Sequence, residues 1–183
     1  MEGISKFISN RLKLKVNEPK SAVARPRERA FLGFSFSGKI KDPNKRKIAP
    51  QSLKRFKDRV RQITNRNHSR SIEKRVEELS IYLRGWRGYF NFCETPSTLV
   101  ELDAWIRRRL RAVLWKQWKT YRKRTKELIK RGVCGGLAHY TSKSGKGPWR
   151  ISQSPALLEG LPNCFFDSLN LQKLSSKKSI QLN

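Results

Sequence analysis

The apolar positions follow two different periods along the chain. Leu12, Leu14 and Val16 alternate with basic residues, which predicts a half-buried strand over Leu12–Val16. Asn17, Glu18 and Pro19 supply a turn after it. Ala22–Ala24 reads as a second short strand and the aromatic run FLGFSF, Phe31–Phe36, as a third. Ser37-Gly38 and then Asp42-Pro43-Asn44 reverse the chain, so the residues up to Ile48 read as hairpin material.

From Pro50 the apolar spacing changes to three and four. Leu53, Phe56, Val60 and Ile63 form one face of a helix that Pro50 opens, and Lys54, Arg55, Lys57, Arg59 and Arg61 take the other face. A second helix starts after Ser71, an N-cap residue, with Glu73 in its first turn. Its apolar stripe is Ile72, Val76, Leu79 and Leu83, and Gly85 is expected to end it. Thr98-Leu99-Val100-Glu101 has the form of a capping box that opens a third helix. Leu102, Trp105, Ile106, Leu110, Val113 and Leu114 form its stripe, and the pattern runs on towards Ile129 with Gly132 as a stop. Beyond it, Gly135-Gly136 and Ser144–Pro148 read as loops. Leu157–Leu174 is apolar enough to pack back on the helices, and Ser175–Asn183 reads as a frayed end. The expected fold is mainly α: a short N-terminal β element, a three-helix bundle and a loop-rich C-terminal tail. The expected boundaries are 1–48, 49–131, 132–174 and 175–183.

Charge narrows the function. The 183 residues include 42 Lys and Arg against 14 Asp and Glu, a formal net charge of +28. Self-repulsion at that density opposes compaction unless a polyanion neutralises it, and nucleic acid does so with release of condensed counterions. The 9 Phe, 5 Trp and 4 Tyr argue against a disordered basic chain. No apolar run is long enough to span a bilayer, and MEGISKFISNRLKL has no signal-peptide core. Cys93, Cys134 and Cys164 are widely spaced, and His68 and His139 stand alone, so no metal site is expected. No Walker-type loop, HExxH or nucleophile–base set is present, and the acids are scattered, so no catalytic residue is assigned.

The expected contacts to RNA lie on the basic helix faces: Lys54, Arg55, Arg59 and Arg61, then Arg107, Arg108, Arg111, Lys116 and Lys119. A second group is LRGWRGYFNF, Leu83–Phe92. Arg84 and Arg87 there can clamp phosphate, while Trp86 and Tyr89 suit either base stacking or an aromatic plug between helices. Trp105 reads as core, and Trp115 and Trp118 fit either role.

These blocks occur in a familiar order. VNEPKS (Val16–Ser21), FLGFSF, LRGWRGYFNF and LDAWIRRRLR (Leu102–Arg111), followed by GKGPWRISQSPALLEGLPNCFFDSLNL (Gly145–Leu171), resemble the C-terminal part of bacterial group II intron reverse transcriptase/maturases. The resemblance covers roughly Leu12 to Leu174. It implies that residues to about Ile48 correspond to the last strands of the polymerase palm. It also implies that Pro50 to about Lys130 corresponds to the thumb, or domain X, whose helices grip intron RNA and template–primer duplex. Lys20 falls on the palm lysine of the family's NxxKS block. The family's YADD block would precede Leu12 and is not among these residues, so a truncated, split or excised piece is expected.

By resemblance, then, the expected function is an RNA-binding maturase fragment of a bacterial cytoplasm that supports intron splicing. It would hold no cofactor itself, since Mg²⁺ belongs to the palm. The alternative is the C-terminal half of a split RNA-directed DNA polymerase that needs an N-terminal partner. A remnant without function is the third reading.

Overall fold

The computed structural model describes residues 2–17, 25, 28–37, 45–67 and 70–175. The expected strand at Ala22–Ala24, Lys20, the turn residues Glu18, Pro19, Gly38, Asp42, Pro43 and Asn44, and everything after Ser175 lie outside them.

The chain is mainly helical, with one small antiparallel sheet near its N-terminus. Helix α1 spans Glu2–Arg11, where no helix is expected from the sequence, and it buries no residue. Leu12–Val16 is not a strand. The amides of Leu12 and Leu14 both bond back to the Ile8 carbonyl, and Lys13 turns through φ 53°. The alternating pattern there finds no partner strand among the described residues, and a strand needs a ladder to satisfy its backbone.

Strands β1 (Phe34–Phe36) and β2 (Arg46–Ile48) pair with Phe34 opposite Ile48 and Phe36 opposite Arg46. Gly33 enters β1 at φ +77°, and a Cβ there would meet the Ser52 Oγ at 3.0 Å and the Phe90 ring at 3.2 Å. Only glycine fits both the backbone and the space.

Helices α2 (Pro50–Ile63), α3 (Ile72–Tyr89) and α4 (Pro96–Gln117) follow as the apolar stripes require. Ser71 caps α3 as expected, its side chain accepting from the Lys74 amide at 3.3 Å. Gly85 does not end α3. The helix continues because Trp86 stacks between Phe56 (centroids 4.3 Å apart) and Phe90 (4.6 Å), and Phe34 reaches Phe90 at 5.1 Å. Such aromatic pairs exceed the roughly 1 kcal/mol cost of a glycine within a helix. Thr98–Glu101 is not a capping box either. α4 starts two residues earlier at Pro96, because proline at a first helical position needs no amide partner.

The third helical pattern is split. α4 ends at Gln117, and α5 (Tyr121–Lys130) starts afresh with Thr120 accepting from the Lys123 amide. Gly132 closes α5 as expected: its φ is +89°, its amide bonds the Ile129 carbonyl, and the Val133 amide bonds that of Leu128. Gly135-Gly136 is not a loop but the first turn of α6 (Gly135–Ser142). The short helices α7 (Pro148–Ile151), α8 (Pro155–Gly160) and α9 (Asn163–Ser168) complete the tail.

The tail shares one core with the three long helices. Leu157, Leu161, Phe166, Leu171 and Leu174 lie buried with Phe56, Leu79, Leu83, Ile106 and Leu110. Polar contacts fix its course. Ser80 donates to the Asn170 carbonyl and accepts from the Gln172 amide. The buried Asp103 carboxylate accepts the Leu174 and Ser175 amides, each at 2.9 Å, and Arg87 donates to the Leu174 carbonyl at 2.7 Å. Asp167 bridges Lys173 (2.8 Å) and Arg107 (3.3 Å).

Replacing Asp103 by Ala strands two amides and should destabilise the fold by about 1–3 kcal/mol. Urea titration measures the loss, and limited proteolysis should then cut near Leu174 first. The Asp167 carboxyl is held below its ordinary value of 3.8 by the hydrogen bond from Lys173 and then that from Arg107. A depressed carboxyl stabilises the fold above its unfolded pKa and loses that contribution as pH falls through the folded one. The stability gap between the natural chain and Asp167→Asn should therefore be full at neutral pH and close as the medium is acidified below that ordinary value.

Candidate nucleic-acid interface

Arg75, at the start of α3, is buried among backbone carbonyls. It donates to those of Ile63 (3.0 Å), Asn65 (2.8 Å) and Arg70 (3.4 Å). Burial pushes its pKa down, and the neighbouring Arg70 adds to this. These bonds satisfy the end of α2 and shape the connection into α3. Gln117 donates to the Arg70 carbonyl at 2.7 Å and so ties the end of α4 to the same connection.

The result is an open cleft of about 730 Å³ between the α2–α3 connection and the α4–α5 junction. Among the described residues, Arg66, Arg70, Lys116, Lys119 and Arg124 line it with Asn67, Ser71 and Gln117, and no carboxylate does. Arg70 turns partly away to pair with Glu78 at 2.8 Å. Arg124 donates to the Trp118 carbonyl at 2.8 Å while its guanidinium lies 4.5 Å from the Trp115 ring centre. Burial lowers the Arg124 pKa. Lys116, Lys119 and Arg66 are exposed. A concave surface with one sign of charge focuses its field and concentrates anions. Its chemistry suits the phosphates of a polyanion rather than a reaction.

The expected contact residues separate into three groups. Lys54, Arg55, Arg59 and Arg61 are exposed on α2, and Lys116 and Lys119 flank the end of α4. The structure joins most of these through two arginines of the connection. Arg59 and Arg70 line a common groove, Arg70 and Lys116 the main cleft, and Arg61 and Arg66 an adjoining cavity. Arg61 also pairs with Asp58 at 2.6 Å, and Arg59 with Glu78 at 3.9 Å.

A second group turns inward. Arg111 donates to the Leu161 carbonyl (2.8 Å) and to Asn163 (3.1 Å), Arg107 to Asp167, and Arg87 to Leu174 and Phe90. These three residues hold the tail, with Arg107 and Arg111 buried and Arg87 half-buried. Arg108 lies between the two groups: it stacks 3.8 Å over Trp149 and donates to its carbonyl. Trp86 belongs to the aromatic stack.

The third group, Arg84 and Tyr89, is exposed further along α3, where the Tyr89 hydroxyl donates to the Leu32 carbonyl at 2.9 Å. Neither lines the basic cleft.

Arg66, Arg70 and Arg124, which line the cleft, are absent from the sequence-based contact set. Arg70 had a usable signal, since it directly precedes the Ser71 cap and so enters at a helix N-terminus. Arg66 belongs to a connection that periodicity does not describe. No group of three or more His, Cys, Asp or Glu among the described residues is placed to hold a metal ion. The three cysteines are free thiols, and no described helix is long and apolar enough to cross a membrane.

Residues 53–132 match the family described as the group II intron, maturase-specific domain. The match runs from the first turns of α2 through Gly132, so it contains all five cations of the cleft. No curated protein matches the chain.

The two classes of arginine and lysine should respond oppositely to neutralisation. Lys116→Gln with Lys119→Gln should leave the melting temperature nearly unchanged and weaken binding to a generic RNA several-fold at low salt. Arg111→Gln should lower the melting temperature by several degrees, because it strands buried acceptors. Thermal denaturation and filter binding on the same preparations separate the two.

Proposed function

We propose that this chain, whose residues 53–132 match the group II intron, maturase-specific domain, binds intron RNA through phosphate contacts and thereby supports splicing. The observation that carries the reading is the basic cleft between the α2–α3 connection and the α4–α5 junction, lined by five cations and, among the described residues, by no carboxylate. Folded RNA brings phosphates of separate strands close together, and their repulsion opposes the active fold. A fixed set of cations on a rigid helical frame offsets that repulsion without reading base sequence. Exposed Lys54, Arg55 and Arg84 extend the positive surface beyond the cleft. The chain's part is to hold the RNA in shape, with the splicing chemistry left to the RNA.

A second reading has its own support. Helix α1 and the entry to β1 expose Ile4, Phe7, Leu12, Leu14, Phe31 and Leu32. Such a row of apolar side chains fits a polymerase palm supplied as a separate N-terminal half, with template–primer duplex in the basic cleft and Mg²⁺ on the partner's carboxylates. Polymerase activity that arises only on mixing the two halves would establish it.

The primary reading is tested by binding to a structured group II intron RNA and to an unrelated RNA of equal length across a salt series. Preference for the intron RNA should persist as salt rises. Neutralising Arg66, Lys116 and Lys119 together should reduce the slope of log affinity against log salt by about 2–3. Equal affinity for both RNAs, with an unchanged slope, would remove the cleft from intron recognition.

A further inference from the structure

Beside the phosphate cleft lies a smaller cavity of about 300 Å³, at the lower end of the usual size for ligand pockets, roughly 300–1,000 Å³. It opens between the end of α2, the middle of α4 and α7. Its walls combine two kinds of group that the phosphate cleft does not combine. Trp105 and Trp149 present indole rings, and Arg61, Arg66 and Arg109 present guanidinium groups. Among the described residues no carboxylate lines it.

The parts are held from behind. Thr64 donates to the Val60 carbonyl at 2.6 Å and accepts from the Arg109 Nε at 2.7 Å. That is the one hydrogen bond of Arg109 to the described residues, among which neither amino end of its guanidinium has an acceptor. Burial, with the charges of Arg61 and Arg66, pushes the Arg109 pKa down to about 10. An anion in the cavity would relieve that repulsion. Arg61 and Arg109 lie 5.8 Å and 5.3 Å from the centre of the Trp105 ring, and Arg108 backs the Trp149 ring at 3.8 Å. Trp149 is 37% exposed and lies outside the buried hydrophobic cluster.

Flat aromatic walls with clustered guanidiniums complement a planar ring joined to a phosphate. A base in a duplex cannot enter, since its faces are stacked on neighbours and its edge is paired. Arg66 also lines the phosphate cleft, so a strand lying in that cleft passes the cavity mouth.

We propose that this cavity captures a single unpaired nucleotide of the bound RNA, its base against Trp105 and Trp149 and its phosphate at Arg66 and Arg109. The inference rests on the RNA-binding reading above and adds to it a preference for an extrahelical nucleotide.

The test uses the full chain and three short RNA hairpins: one with a single unpaired nucleotide in the stem, one fully paired, and one with an abasic residue at the unpaired position. The first should bind about tenfold more tightly than the other two, the size of effect that one stacked base supplies. 2-Aminopurine at the unpaired position should be quenched on binding. Trp149→Ala should erase the preference and the quenching while affinity for the paired hairpin is kept, and Trp149→Phe should restore part of both. Equal binding of all three hairpins, or 2-aminopurine that stays bright, overturns the pocket and leaves the RNA-binding reading intact. No binding to any hairpin overturns both. Quenching of the tryptophans by adenosine monophosphate, with no preference for the unpaired hairpin, would make this a free-nucleotide site and also overturn the proposal.

Discussion

The packing of this protein depends on arginines that are satisfied by backbone carbonyls rather than by acids. Arg111 bonds to Leu161, Arg87 to Leu174, and Arg75 to Ile63, Asn65 and Arg70. A guanidinium is always charged and carries five donors, so burying it without acceptors is prohibitive. With 14 acidic residues against 42 basic ones, carboxylates cannot supply those acceptors everywhere. Carbonyls at helix ends and in the tail can, because such groups have no partner within their own helix. The bonds of Arg111 and Arg87 tie the tail to helices 50 and 87 residues away in sequence, and those of Arg75 order the connection after α2.

This solution has a functional consequence. A carbonyl satisfies the hydrogen-bonding need of an arginine but leaves its charge uncancelled. The interior arginines therefore add to the positive field of the surface instead of quenching it. The surface cations of the cleft, Arg66, Lys116 and Lys119, stand against a protein body that is itself positive. Such a body attracts a polyanion at long range, and salt screens that attraction over about one Debye length, near 10 Å at 0.1 M. Fold and proposed activity thus draw on the same excess of basic residues, split by burial into those that hold the tail and those that face solvent.

Aromatic packing plays the matching role at the N-terminal side. Phe34 reaches Phe90, Phe90 meets Trp86, and Trp86 meets Phe56, so β1, α3 and α2 share one continuous stack. This explains why α3 passes through Gly85 and Gly88 without ending. The rings on either side of the glycines need helical spacing to meet. It also places Trp86, attractive in sequence either as a stacking platform for RNA or as an aromatic plug, half-buried against the protein's own core.

The sequence by itself determined the helical frame: the stripes of α2, α3 and α4, the Ser71 cap and the Gly132 stop are local patterns, readable without neighbours. The apolar run from Leu157 to Leu174 likewise announced that the tail would be buried. The basic composition pointed to a polyanionic partner, and the ordered blocks to the domain that residues 53–132 match. Tertiary structure alone decided which cations face outward. Arg107, Arg108, Arg109 and Arg111 are adjacent in sequence on one helix, yet two hold the tail, one stacks on Trp149 and one lines a cavity. Helical periodicity gives a direction around an axis but not what lies there, and the tail arrives from some fifty residues away. The cleft was hidden for the same reason: it forms where a short connection meets a distant helix end.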